Sequence, residues 1–101
     1  MLGALHVGAV GGICALANAM PKAVWQLSDL FSKGELAAAS DLQRRLVAPN
    51  QAVTKIYGVS GMKRAMDLFG FYGGPTRKPL LDLNESEEKK LQESFKAGGF
   101  L

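Results

Sequence analysis

The chain is poor in groups that do chemistry on their own. It holds one histidine, His6, and one cysteine, Cys14. A single thiol excludes an internal disulfide framework and the multi-cysteine zinc patterns. With one imidazole, a metal site would have to be built almost wholly from carboxylates. A histidine-dependent triad needs a nucleophile and an orienting acid beside His6, and no motif supplies either. His6 therefore reads as a surface or capping imidazole and Cys14 as a small buried thiol, and neither a metal nor a cofactor is expected. The remaining nucleophile class is the amine. Lys22, Lys33, Lys55, Lys63, Lys78, Lys89, Lys90 and Lys96 all fall in helical patterns or polar loops, where an ammonium is solvated rather than activated. Tyr57, Tyr72 and Trp25 read as packing residues. No catalytic residue is nominated. The glycine-rich turn at Gly8, Gly11 and Gly12 fits neither G-x-G-x-x-G nor G-x-x-x-x-G-K-[ST], so its glycines serve a sharp turn and close packing rather than a phosphate.

The elements that must carry these residues are few. A chain of 101 residues makes one small domain, with ordinary apolar content and no sign of disorder. Its net charge of +3 is dispersed over Arg44/Arg45, Lys63/Arg64, Arg77/Lys78 and Lys89/Lys90. No single basic face forms, which argues against nucleic acid as a partner.

Residues 1–20 carry no Lys, Arg, Asp or Glu and admit three readings. A membrane span is undercut by Gly3, Gly8, Gly11, Gly12, His6 and Asn18 and by the lack of flanking anchors. A secretory signal has a small-x-small site at Ala17-Asn18-Ala19 but no positive n-region. The third reading divides the segment into a helix end at Leu2–Val7, a turn at Gly8–Gly12 and a short buried strand at Ile13–Leu16. Asn18 then caps a helix that carries Pro21 in its first turn. The third is adopted, with no membrane partner and no secretory signal.

Downstream, Met20, Val24, Leu27 and Phe31 recur at helical spacing and stop at Gly34. Leu36, Ala39, Leu42, Leu46, Val53 and Ile56 mark a long helix bent near Pro49 and ended by Gly58. Met62, Ala65, Met66 and Phe69 mark a third helix between Ser60 and Gly70. Residues 71–83 form a proline- and glycine-punctuated loop. Asn84 with Glu87 opens a last helix through a capping box, and Leu91 and Phe95 make its apolar contacts before Gly98-Gly99 closes it. One short strand and four helical segments leave the strand without hydrogen-bond partners. The chain is accordingly either a piece of a larger α/β protein or an all-helical domain that recruits its first stretch into a helix.

Several blocks carry a family resemblance: Gly8-Ala9-Val10-Gly11-Gly12-Ile13-Cys14-Ala15-Leu16-Ala17-Asn18, Leu42-Gln43-Arg44-Arg45-Leu46 with Pro49-Asn50, Met66 to Pro75, and Gly98-Gly99-Phe100-Leu101. In order and over essentially the whole length, they resemble the C-terminal part of the dihydrodipicolinate synthase and N-acetylneuraminate lyase family. The likeness is closest to 4-hydroxy-2-oxoglutarate aldolase-like members, with 3-deoxy-2-oxo sugar acid aldolases and dihydrodipicolinate synthases as alternatives.

The resemblance implies a mainly α chain, the C-terminal piece of a (β/α)8 TIM barrel. Residues 1–34 would hold the last barrel strand (about 11–16) and last barrel helix (about 18–33), and residues 35–101 the helical extension. It implies a class I lyase in which a lysine forms a Schiff base with a 2-oxo acid such as pyruvate and a tyrosine relays protons. Neither residue has a matching position here. The chain alone is therefore expected to be inactive, a truncated gene product or segment whose Gly11 and Gly12 shape the substrate mouth. A 2-oxo acid would be a ligand of the full-length parent only. The competing class is a non-enzymatic helical module that associates with itself or with full-length family members. The cytoplasm is the expected compartment, with the mitochondrion as the alternative for the parent enzyme.

Overall fold

Apolar residues at helical spacing, broken by glycine, set the order of elements in the computed structural model, which describes residues 1–101. Five α-helices follow one another: α1 (Leu2–His6), α2 (Pro21–Ser32), α3 (Leu36–Gln51), α4 (Gly58–Leu68) and α5 (Glu85–Ala97). A 3-10 turn at Ala15–Asn18 precedes α2, and a π-turn at Ala52–Ile56 joins α3 to α4. The chain is mainly α, and no helix is long and apolar enough to cross a membrane.

The expected strand at about 11–16 does not form. Residues 9–14 run as irregular chain, and Ala15–Asn18 closes a 3-10 turn. The physical reason is the one that made the strand suspect: no second strand exists to pair with it, so water takes the place of a ladder. Asn18 does not cap the next helix either. Its Nδ2 donates to the Ala15 carbonyl at 3.0 Å inside the 3-10 turn. Met20 takes the N-cap position and Pro21 is the first helical residue, so the helix expected over 18–33 runs over Pro21–Ser32.

The turn at Gly8 is built as its sequence requires. Gly8 has φ +98°, its N–H donates to the Leu5 carbonyl at 3.1 Å, and the Ala9 N–H reaches back to Ala4 at 3.0 Å. This is a Schellman closure of α1, and a side chain at Gly8 would strain it.

Pro49 lies inside α3 and is fully buried. Its ring nitrogen cannot donate to the Arg45 carbonyl, and the helix answers by widening three residues later, where the Tyr57 N–H bonds to Ala52 at 3.0 Å. The predicted bend is thus realised as a π-turn. The stop at Gly58 adopts φ +53° and that at Gly70 φ +82°.

The core is a single cluster. Leu16, Leu27, Leu42, Leu46, Ala65, Leu91 and Phe95 all sit in it with 6% exposure or less. The last helix is part of the core: Leu91 and Phe95 are at 0% exposure, and Phe95 meets Phe69 edge to face with ring centroids 5.2 Å apart. Its capping box is closed on both sides, with Asn84 Oδ1 accepting from the Glu87 N–H and Glu87 Oε2 accepting from the Asn84 N–H, each at 3.0 Å.

Candidate functional site

The largest concavity is a groove of about 570 Å³ between the first fifteen residues and α3. Gly11 and Gly12 both line it, together with Met1, Ile13, Cys14 and Leu16 from their own segment and Leu27 and Leu46 from the helices behind. Its polar edge is supplied by Gln43, Asn50, Gln51 and Thr54. Gln43 ties the groove together: its Oε1 accepts from the Leu2 N–H at 2.9 Å and from the Met1 ammonium at 3.2 Å. On the opposite wall, Cys14 Sγ lies 3.7 Å from Met1 Sδ.

The chemistry this groove can perform is limited. Apart from the Cys14 thiol and the Met1 amine, its lining carries no acidic, basic or imidazole side chain, so it offers apolar surface and amide or hydroxyl hydrogen bonds, and no lysine reaches it. His6 stands outside it. The His6 Nδ1–H donates to the Leu2 carbonyl at 3.0 Å, and its ring stands edge to face against Phe31 at 5.0 Å.

The lysines are not gathered around a cavity. All are exposed except Lys63, whose Nζ donates to the Gly73 carbonyl at 2.8 Å. Lys33 pairs with Asp29 at 2.7 Å, and the hydrogen bond and charge of that carboxylate raise its pKa. An amine meant to attack a carbonyl at neutral pH needs the opposite shift. Of the two tyrosines, Tyr57 packs against the core as expected, whereas Tyr72 is exposed.

A second, polar cleft of about 250 Å³ lies between α4, α5 and the loop over residues 71–83. There the Gly73 N–H donates to Asp67 Oδ1 at 2.8 Å, Ser60 Oγ donates to the Leu81 carbonyl at 2.7 Å, and Lys63 holds the Gly73 carbonyl. Arg64 Nε lies 3.1 Å from Glu88 Oε1, an ion-pair distance, but its N–H is not aimed at that oxygen and finds no acceptor. These bonds fasten the loop to the helices. Asp82 belongs to the same strap: Thr76 donates to it through Oγ1 at 2.7 Å and through its N–H at 2.8 Å, and these bonds lower its pKa.

Gly11 and Gly12 line the larger groove, and the face opposite them was not singled out from the sequence. Gln43, Val47, Asn50, Gln51 and Thr54 recur at helical spacing along α3 and the π-turn, and all of them line the groove. That stripe, polar but for Val47, was a legible signal. The pairing of Gln43 with Leu2 was not, because a contact 41 residues apart leaves no mark in local periodicity.

The sequence matches the model of the Dihydrodipicolinate synthetase family over residues 1–98. Among curated proteins it is similar to the 4-hydroxy-tetrahydrodipicolinate synthase of Symbiobacterium thermophilum, 33% identical over 97 residues, which are 96% of this chain and 33% of that protein. The enzyme of the same name from Caldicellulosiruptor bescii is 31% identical over 91 residues, 90% of this chain and 31% of the relative. That of Thermoanaerobacter sp. strain X514 is 28% identical over 97 residues, 96% of this chain and 33% of the relative. The chain spans about a third of the length of the curated relatives it matches.

Proposed function

This chain belongs to the dihydrodipicolinate synthetase family, and from that membership we propose that it is the C-terminal part of a Schiff-base lyase acting on a 2-oxo acid. In this reading residues 1–34 bring the last strand and helix of a (β/α)8 barrel, and residues 35–101 the helical extension behind it. The 4-hydroxy-2-oxoglutarate aldolase type is the member favoured by the sequence blocks. The curated relatives are 4-hydroxy-tetrahydrodipicolinate synthases, and a parent with that activity is the alternative. Gly11 and Gly12 border the substrate mouth in the complete enzyme and do no chemistry themselves.

One observation carries the division of labour: no lysine of this chain stands in a desolvated pocket. Seven are exposed, and the eighth, Lys63, is spent on the Gly73 carbonyl. A Schiff-base nucleophile must be a neutral amine near pH 7, which burial away from water provides and solvation does not. The electrophile-binding lysine and the relay tyrosine therefore come from the part of the family barrel that these residues do not match.

The test uses two proteins: the 101-residue chain, and a chimera in which it replaces the matched third of the Symbiobacterium thermophilum synthase. Each is incubated with pyruvate and borohydride, then mapped by mass spectrometry. The chimera should carry a pyruvate adduct on a lysine outside these 101 residues, and the chain alone should carry none. An adduct on any lysine from Lys22 to Lys96 would overturn the reading.

A further inference from the structure

The single tryptophan of the chain stands outside the core. Trp25, whose place beside the α2 stripe marks it as a packing residue, is 67% exposed on the outer flank of that helix. Leu27, on the opposite side of α2, enters the core at 2% exposure. One turn from Trp25 lie Pro21 and Lys22 on the N-terminal side and Ser28 and Asp29 on the C-terminal side, with Ser32 beyond them. An indole held in water among small side chains has the make-up of an interface centre, where tryptophan is among the residues most enriched.

The charges around it follow a pattern. Only two charged residues lie in α2, and they flank Trp25 with opposite sign. Lys22 precedes it by three positions, is exposed and makes no ion pair. Asp29 follows it by four, gives Oδ2 to Lys33 at 2.7 Å and keeps Oδ1 free. A second α2 laid antiparallel across the first, with a twofold axis at Trp25, brings Lys22 of each copy beside Asp29 of the other. A parallel arrangement sets lysine against lysine. The sign pattern therefore selects antiparallel self-pairing, in which the contact of residue i with residue j is repeated as j with i.

We propose that the Trp25 flank of α2 docks a second copy of this chain, α2 against α2, with the two indoles packed together at the twofold axis and two Lys22–Asp29 pairs at the rim. Ser28 and Ser32 let the helix axes approach, and the charged rim keeps water from the indoles and fixes the register. This contact is independent of the family reading, because it uses only what the chain itself exposes. Twelve residues make a helix about 18 Å long, so the buried area stays below the ~1,200 Å² of stable complexes and the dimer is a weak one.

Sedimentation of the 101-residue chain between about 5 and about 500 μM measures the association. Fluorescence of the single tryptophan reports on the same step, and its emission should move to shorter wavelength as the dimer forms. Trp25→Ala should weaken association at least about 30-fold and leave the circular dichroism unchanged. Lys22→Glu and Asp29→Lys should each weaken it at least about tenfold, and the two together in one chain should restore it. The charge swap keeps the tryptophan, so it decides the pairing whether or not Trp25→Ala folds. A chain that is monomeric over the whole range overturns the proposal, as does a dimer that Trp25→Ala leaves intact or a double swap that restores nothing. In the chimera, a maleimide that fails to reach Trp25→Cys at a dilution where the subunits are separate makes the rest of the family polypeptide the occupant and also overturns it. None of these outcomes touches the Schiff-base reading, which the pyruvate adduct decides.

Discussion

The guanidinium of Arg45 on α3 lies over the ring of Phe100, its carbon 4.9 Å from the ring centroid, while its Nε donates to the Gly98 carbonyl at 2.7 Å. One side chain thereby fixes the last turn of α5 and the residues after it against the middle of the domain. Arg45→Ala should cost about 1–2 kcal/mol, the net of one charged hydrogen bond and a half-exposed cation–π contact. Arg45→Lys should recover less than half of that, because an ammonium does not lie flat on a ring while donating sideways. Urea midpoints measure the cost, and faster exchange of the Phe100 amide, which bonds to Phe95 at 3.0 Å, locates it.

Phe95→Ala should be the most damaging single change in α5. The side chain is at 0% exposure and stands edge to face against Phe69 at 5.2 Å, so its loss leaves a void in the core that the surrounding side chains cannot fully close. A loss of about 3–5 kcal/mol is expected, a large part of the stability of a domain this small. Thermal unfolding followed by circular dichroism decides it, and a loss below about 1 kcal/mol would place Phe95 outside the core.

Gly73→Ala and Gly3→Ala should move stability in opposite directions. A Cβ on Gly73 would overlap the Lys63 carbonyl oxygen, and moving the loop to relieve this breaks both the Lys63 and the Asp67 hydrogen bonds. About 2–3 kcal/mol should be lost. Gly3 lies in α1 with nothing within 4 Å of an added Cβ, and alanine there should gain about 0.5–1 kcal/mol. The pair is compared by chemical denaturation of otherwise identical chains.

The loop strap should loosen in acid. The Asp82 pKa is lowered from 3.8, first by the Thr76 hydroxyl and then by the Thr76 N–H. A lowered carboxylate pKa gives stabilisation that is present above the unfolded value and lost as pH falls through the folded one. The Thr76 amide should therefore be protected at neutral pH and lose protection below pH 3.8. Thr76→Val should shift that loss to higher pH, and Asp82→Asn should abolish its pH dependence. Nuclear magnetic resonance titration of the Thr76 N–H reads all three proteins.

How far the sequence can be read depends on the distance over which its signals act. The stripe Val24, Leu27 and Phe31, the cap at Asn84 and the stops at Gly34, Gly58 and Gly70 are local, and the structure has each of them where spacing placed it. Residues 11–16 behave differently. Their apolar run reads as a buried strand, and the chain by itself contains no second strand to pair with it. Asn18 followed the same error, since its capping role presumed a strand ending just before it. The groove was half legible: the glycines stood out by composition, but the α3 face opposite them is recognised only once the fold sets Gln43 beside Leu2.

The unpaired stretch between Gly8 and Cys14 also bears on how long a copy of this chain survives. Proteases bind substrate backbone whose N–H and C=O groups are free, and Val10 to Ile13 leave theirs unpaired in irregular chain while α2 to α5 hide theirs inside helices. A copy without its partner should be nicked first in this stretch under limited proteolysis, well before any cut in α3 or α5. A copy taken up as a strand should lose that cleavage site. The order of cuts under limited proteolysis thus reports directly on whether this one short segment is covered.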